Sequence, residues 1–299
     1  MIAREGILDR VGGERELPGI VDRLREQEDT RVLLVHRGRA VVDEAGVLRL
    51  LTVVEAQSSS TGDADGIRWA LIGRRADRSP VLLAALPSNA EPPGDERWGG
   101  IREIAAMLPD EDAEILVTGM ALAGWLLEAM FCPICGAEAE VRQAGWSRHC
   151  ASCVRDLFPR TDPAVIVAVE SADGERLLLG ANAAWAGRVH SCFAGFVEAG
   201  ESLETTVHRE IGEEAGVRLR DVRYRGSQPW PFPRSLMIGF RATAIDEEEA
   251  HGDGEEIVAV RWLTRAEIGS ALTGDGPVAL PGPASIARAL IEDWHRERV

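Results

Sequence analysis

Two short cysteine pairs draw four distant residues toward one point, and they restrict the fold more than any other stretch. They read Cys132-Pro-Ile-Cys135 and Cys150-Ala-Ser-Cys153, with 14 residues between them. Each CxxC knuckle turns tightly enough for both thiolates to reach one ion. Four thiolates close a tetrahedral zinc site and leave no position for water, so the site is structural rather than catalytic. One Zn²⁺ per chain is the expectation. Disulfides are uncommon in cytosolic proteins, and redox CxxC motifs do not come as two matched knuckles. Cys192 is the odd thiol; its apolar surroundings make it a buried bystander.

The charge balance narrows the partners. The formal net charge is −16, which argues against a protein built mainly to hold nucleic acid on a basic surface. All 33 basic residues are arginine. A P-loop lysine and a Schiff-base lysine are therefore impossible, and arginine must do any gripping of phosphate or carboxylate. No apolar run approaches the ~20 residues of a membrane span. The opening MIAREGILDR does not read as a signal peptide, so a cytoplasmic protein without membrane partners is expected.

The 299 residues suggest about two domains, and the pattern along the chain sets a short cysteine segment between them: 1–130, 131–160 and 161–299. In the first, 31–42, 47–54, 67–73 and 81–86 read as strands, separated by turn-rich pieces at 58–66 and 88–100. Helical patterns follow at 101–108 and 110–130. No catalytic constellation stands out there, and a structural or dimerisation role is the plain reading. The zinc knuckles occupy the second part, with Arg142, Trp146, Arg148, His149 and Arg155 around them. Such residues can serve nucleic acid, but Glu138, Glu140 and the acidic whole favour a clamp between the larger parts. In the third, 164–170 and 176–180 form a hairpin, further strands lie at 222–230, 235–245 and 257–263, and a last helix runs from about Pro283 to the end.

The chemistry concentrates in Gly195–Val217, a glycine turn followed by a short helix. Glu210, Glu213 and Glu214 share one helix face, while Leu203, Val207 and Ile211 form a separate apolar stripe for the core. Gly216 stands where a left-handed cap would end the helix. Crowded carboxylates repel unless a cation neutralises them, and hard oxygen ligands suit Mg²⁺ or Mn²⁺. A second unusual string runs from Ser227 to Ser235, through Gln228, Pro229, Trp230, Pro231, Phe232, Pro233 and Arg234. Three prolines stiffen it and two aromatic faces suit a planar ring.

The first stretch resembles the Nudix box: Gly195, Glu201, Arg209, Glu210, Ile211, Glu213, Glu214, Gly216 and Val217 fill every fixed position. The second resembles the SQPWPFPxS signature of the NADH pyrophosphatase branch of that family. That branch also carries a four-cysteine ribbon ending in an aromatic-Pro-Arg segment, here Phe158-Pro159-Arg160. The resemblance is strong over about residues 101–299. It implies an α+β chain: a Nudix α/β/α sandwich preceded by a zinc ribbon and a smaller, degenerate Nudix-like N-terminal α/β domain.

It also implies roles. Ala194, through its carbonyl, and Glu210, Glu214 and Glu256 would hold the catalytic metals, with Glu255 competing with Glu256. Glu213 would be the base that activates water. Gln228 to Ser235 would line the nucleotide pocket, Ala287 would border it, and Arg102 and Phe158 would meet substrate. Many relatives carry tyrosine at the place of Phe158, which keeps the ring and loses the hydroxyl. Arg209 is expected to orient carboxylates rather than touch substrate. The implied reaction is hydrolysis of NAD(H) to nicotinamide mononucleotide and AMP by a homodimer, and the same linkage occurs in an NAD-capped RNA. Two alternatives stay open: a broad nucleoside-diphosphate-sugar pyrophosphatase of the ADP-ribose type, and a non-catalytic nucleic-acid-binding sensor.

Overall fold

The computed structural model describes residues 7–58, 66–90, 96–185 and 188–297. The chain divides into two compact units, Glu5–Arg160 and Thr161–Val299.

In the first unit, five strands form one sheet: β1 (Arg31–His36), β2 (Arg39–Val42), β3 (Arg68–Arg74), β4 (Pro80–Leu86) and β5 (Arg97–Gly100), in the order β3-β4-β1-β2-β5. Strands β1 and β4 run parallel, and the other neighbours are antiparallel. Both central strands are apolar on both faces, as a covered sheet requires. Val32, Leu34 and Ala84 face α2 (Val53–Ser58), and Leu71 and Leu82 pack with α1 (Ile20–Arg25). The longest helix, α4 (Asp110–Glu128), follows the short α3 (Ile101–Ile104). It comes so close to the sheet that a Cβ on Gly119 would lie 2.1 Å from Leu33.

Three expectations change here. Residues 47–54 are not a strand. Leu48 and Leu51 make only isolated bridges, and Thr52 starts α2 with a capping box. The Thr52 hydroxyl accepts from Glu55 N–H at 3.2 Å, while Glu55 accepts from Thr52 N–H at 2.7 Å. The end of the turn-rich piece 88–100 is strand β5, whereas 91–95, like most of 58–66, lies outside the described residues. The helix expected over 101–108 is a single α turn, α3, followed by a 3₁₀ turn.

The zinc ribbon belongs to the same unit. Strands β6 (Glu140–Arg142), β7 (Ser147–Cys150) and β8 (Arg155–Leu157) form a small antiparallel sheet. It sits against the open edge strand β3. Trp146 Nε1 donates to the Leu71 carbonyl at 2.7 Å, and a Cβ on Gly145 (φ 97°) would meet Ala70 at 2.3 Å. Arg148 is buried and donates to the carbonyls of Ala139 (2.9 Å) and of Leu126 (2.8 Å), the latter in the last turns of α4. Two of the side chains weighed as a nucleic-acid surface are thus internal anchors.

The second unit is an α/β/α sandwich. Its sheet comprises β9 (Asp162–Glu170), β10 (Arg176–Asn182), β11 (His190–Ser191), β12 (Phe193–Phe196), β13 (Leu219–Trp230), β14 (Ser235–Ala244) and β15 (Ile257–Thr264). The main order is β11-β10-β9-β14-β13, with β12 paired to β9 and β15 to β10; β9 and β14 are parallel. Alternation along β9 sorts the two cores. Val165, Val167 and Val169 pack with Val207 and Ile211 of α5 (Leu203–Ala215). Ile166 and Ala168 pack with Leu290, Ile291 and Trp294 of α7 (Ile286–Arg296). The expected apolar stripe of the box helix is therefore its core face. Two local expectations are corrected. Gly195 is a residue of strand β12, and the turn before the helix is made at Gly200, at φ 95°. An additional helix, α6 (Arg265–Thr273), begins with its own capping box, Thr264 and Glu267.

Candidate functional site

The box helix α5 carries its caps in the sequence. The Ser202 hydroxyl accepts from Thr205 N–H at 3.1 Å, and Gly216 closes the C-terminus in the left-handed region at φ 68°. With the apolar stripe buried, Glu210, Glu213 and Glu214 are graded in exposure. Glu214 is buried at 5 % exposure, the Glu210 side chain is 12 % exposed, and that of Glu213 is 61 % exposed.

Strand β12 supplies the floor. Ala194 N–H donates to Glu214 Oε2 at 3.2 Å. A Cβ built on Gly195 would lie 1.9 Å from the Glu210 carboxylate. The glycine is thus required by close approach: the Glu210 carboxylate occupies the space a side chain would fill. The φ of Gly195 is not in the left-handed region, so conformational freedom is not the reason.

Arg209 organises three of the acids. Its Nε and Nη2 reach Glu201 at 2.7 and 2.9 Å, its Nη1 reaches Glu210 at 2.8 Å and Glu213 at 3.1 Å, and Nη2 also donates to the Phe196 carbonyl at 3.0 Å. The guanidinium, helped by the Glu198 N–H, holds the Glu201 carboxyl down at about 2. Glu201 therefore anchors Arg209, a role its place in the motif did not disclose. Glu214 gets no such help. Burial, with the charges of Glu256 and Glu210 beside it, pushes its carboxyl up to about 8. Burial also raises Glu210 despite the nearby arginine, with Glu213 and Glu256 adding to the rise.

Glu256 thus lies within electrostatic reach of both Glu210 and Glu214. Asn182 Nδ2 donates to its Oε1 at 3.3 Å. Glu255 is exposed.

These oxygen donors fit a divalent cation. A buried carboxylate with one N–H donor, crowded by two other acids, lacks the positive charge that would keep it ionised at neutral pH. The four cysteines fit zinc more directly. Their sulfur atoms lie within 4.8 Å of one another, the one group of that compactness among the described residues. The backbone N–H groups of Ile134 and Cys135 pull the Cys132 thiol down to about 7, toward the thiolate a metal needs. Cys192 is buried against the Ala287 carbonyl at 3.9 Å, and burial pushes its thiol up to about 12, as suits a bystander.

The proline-rich string spans the end of β13, the turn at 231–234 and the first residue of β14. Trp230 and Phe232 meet edge to face at 5.3 Å between ring centres, and the Phe232–Pro233 peptide is cis. Pro229, Pro233 and Arg234 are exposed, Pro231 and Trp230 half-buried, and Ser235 buried. Arg234 pairs with Asp162 at 2.8 Å. Gln228 is buried and its amide is used twice: Nε2 donates to the Ala284 carbonyl at 2.8 Å, and Oε1 accepts from Ile286 N–H at 2.7 Å. It ties this turn to the start of α7, where Ala287 is buried. Phe158 and Arg102 lie exposed on the Glu5–Arg160 unit. Asn182 and Asp253, which hold the segment bearing Glu256, were not expected. An Asp-Gly pair at 253–254 was the available signal of a turn, and Asn182 gave none.

Residues 160–280 match the NUDIX domain model, and residues 129–158 match the NADH pyrophosphatase zinc ribbon domain model. Among curated proteins, the NAD-capped RNA hydrolase NudC of Mycobacterium bovis is 36 % identical over 313 residues, covering 96 % of this chain and 94 % of that protein. The protein of that name from Mycobacterium tuberculosis has the same identity and coverage. The human NAD-capped RNA hydrolase NUDT12 is 36 % identical over 199 residues, 63 % of this chain and 43 % of that protein.

Proposed function

The chain belongs to the Nudix hydrolases, in the branch that carries the NADH pyrophosphatase zinc ribbon, and from that premise we propose that it hydrolyses the pyrophosphate bond of NAD(H) to nicotinamide mononucleotide and AMP. The same pyrophosphate lies within the cap of an NAD-capped RNA, between its nicotinamide and adenosine halves, so capped RNA is a second form of the same substrate. The observation that carries the reading is the buried Glu214, bonded to the Ala194 N–H and crowded by Glu210 and Glu256, an arrangement that suits a divalent cation.

Glu210, Glu214, Glu256 and the Ala194 carbonyl would hold Mg²⁺ or Mn²⁺. When bound, the cation supplies Lewis-acid stabilisation of phosphate charge and a lower pKa for the attacking water. Glu213, the exposed glutamate of the helix and paired with Arg209 at 3.1 Å, would accept the proton of the attacking water. Arg209 is occupied by Glu201, Glu210, Glu213 and the Phe196 carbonyl, so it orients carboxylates and does not reach substrate. Trp230 and Phe232, on a turn stiffened by prolines, offer a ring face to the base without reordering. Arg234 and Ser235 complete that turn. Phe158, Ala287 and Arg102 stay on the substrate side of this reading by motif match, and the KM for NADH of Phe158→Ala, Arg102→Ala and Ala287→Val tests each. The homodimer and the cytoplasmic setting are part of the same reading. The first is checked by light scattering and the second by cell fractionation.

A product assay with NADH, NAD, ADP-ribose and NAD-capped RNA, with and without Mg²⁺ or Mn²⁺, is the test. Cation-dependent release of nicotinamide mononucleotide is the expected result, and equal turnover of NADH and ADP-ribose overturns the dinucleotide assignment. Glu213→Gln should lower kcat by about 10²–10⁴-fold with folding intact. Unchanged hydrolysis removes Glu213 as the base.

A further inference from the structure

The downstream ligand of the cation site comes from a pair of adjacent glutamates, Glu255 and Glu256, and their neighbours decide between them. The loop that bears them is folded around one oxygen. Asp253 Oδ1 accepts from the N–H groups of Glu255 at 2.8 Å, Glu256 at 2.9 Å and Ile257 at 2.8 Å. Gly254, in the left-handed region at φ 80°, donates to the Ile257 carbonyl at 3.1 Å. At Gly252 a Cβ would lie 2.1 Å from that same carbonyl, so the loop is closed tightly on itself.

From the other side, the end of β10 grips Glu256 at two places. Ala183 N–H donates to its carbonyl at 2.9 Å, and Asn182 Nδ2 donates to its carboxylate at 3.3 Å. Asn182 is itself held, because its Oδ1 accepts from Ala184 N–H at 2.8 Å. The β10–β15 pairing slips at this point, from Ala181 opposite Ala259 to Asn182 opposite Ile257, so that Val258 is an extra residue. Bulges of this kind re-aim side chains beside functional sites.

We propose that Asp253 and Asn182 are positioning residues that present Glu256, and not Glu255, to the box glutamates. The inference rests on the reading of Glu210 and Glu214 as cation ligands. Asp253 fixes the backbone of residues 255–257 through its three accepted N–H groups. Asn182 then orients the Glu256 carboxylate by one hydrogen bond and leaves its other oxygen for the ion, the outer-shell arrangement common around metal ligands.

The test is Mn²⁺ binding to the full zinc-loaded chain, read by electron paramagnetic resonance of free Mn²⁺, alongside kcat and KM for NADH. Glu256→Gln and Asp253→Ala should each weaken Mn²⁺ by about tenfold or more, and Glu255→Gln should leave it within about twofold. Asp253→Asn, which keeps an acceptor oxygen, should recover most of the affinity. Asn182→Ala should weaken Mn²⁺ without changing KM for NADH, and raising Mn²⁺ should restore kcat. In a Glu256→Gln background, Asp253→Ala should add no further loss. Folded Asp253→Ala protein with unaltered Mn²⁺ affinity overturns the proposal, as does a loss for Glu255→Gln equal to that for Glu256→Gln. If Asp253→Ala does not fold, unaltered affinity in Asn182→Ala overturns it instead. Unaltered Mn²⁺ binding in Glu214→Gln and Glu256→Gln alike defeats the cation-site reading itself, and this inference with it.

Discussion

The chain holds two metal sites of opposite character, one in each unit. In the ribbon, four sulfurs lie within 4.8 Å of one another, on two knuckles only 14 residues apart. In the proposed box site, oxygens would come from a strand, a helix and a loop some forty residues downstream, and the carboxylates are not gathered so closely among the described residues. The thiol set is closed and is nearly complete in local sequence. The carboxylate set is open, and burial makes it costly to ionise without a cation. A structural metal is thus bound by residues that meet anyway, whereas a catalytic one is bound by residues that the whole sandwich must bring together and that stay electrostatically unsatisfied until it arrives.

The largest effect expected from breaking this contrast is in the ribbon. Cys150 is buried and ends β7, so Cys150→Ser removes a ligand from the middle of the small sheet. Structural zinc supplies on the order of 10 kcal/mol of binding energy in small zinc domains. Elemental analysis should find less than one zinc per chain, and the melting transition of the Glu5–Arg160 unit should drop or vanish. Full zinc content with an unchanged melt would refute the four-thiolate site.

The box should respond to smaller changes by losing rate and not fold. Gly195→Ala puts a methyl group where the Glu210 carboxylate now lies. Glu210 must swing away and strain its bond to Arg209, and a misplacement near 1 Å at a reacting centre costs about 10²-fold in rate. The expected result is a kcat for NADH down by about that factor with the melting temperature little changed. A wild-type kcat would show that Glu210 need not rest on β12.

A pH dependence sharpens the same contrast. The Glu214 carboxyl titrates near 8 in the folded chain, by burial and by Glu256 and Glu210, and near the ordinary glutamate value when unfolded. Between those values the folded chain binds the extra proton. Without added divalent cation, stability should therefore fall as pH rises from about 4.5 through about 8. Added Mn²⁺ should stabilise more at pH 8 than at pH 5.5, and Glu214→Gln should flatten both trends. Melting curves at several pH values, with the zinc left in place, measure this. A cation effect independent of pH would mean that Glu214 is not a ligand.

What could be read from the chain follows from this difference in locality. The cysteine pairs, the box spacing and the 203–207–211 stripe are short-range patterns, and each implies its own geometry. The capping boxes at Thr52–Glu55 and Thr264–Glu267 are equally local: the first turns the apolar run 47–54 into a helix start at its end, and the second opens α6. Other roles depend on partners far along the chain. Gln228 meets Ala284 and Ile286, Arg148 meets Leu126, and Asn182 meets Glu256. No periodicity announces such pairs, because the sheet order and the strand slip at Asn182 decide them.

The smallest effect concerns how the ribbon is attached rather than how it holds metal. Strand β3 is an edge strand, and an uncovered edge would invite other strands. Trp146 covers this edge: its Nε1 donates to the Leu71 carbonyl, and the Arg15 guanidinium stacks on its ring 3.6 Å from the ring centre. Trp146→Phe keeps an aromatic ring beneath Arg15 and deletes only the donor. A buried carbonyl left without its partner costs about 1–3 kcal/mol, which for a unit of this size lowers the melting temperature by roughly 2–8 °C. Zinc content and the kcat for NADH should not change, because neither the thiolates nor the box is touched. Loss of zinc in this variant would mean that the thiolate cluster leans on the sheet, and the ribbon would then be no more self-contained than the box.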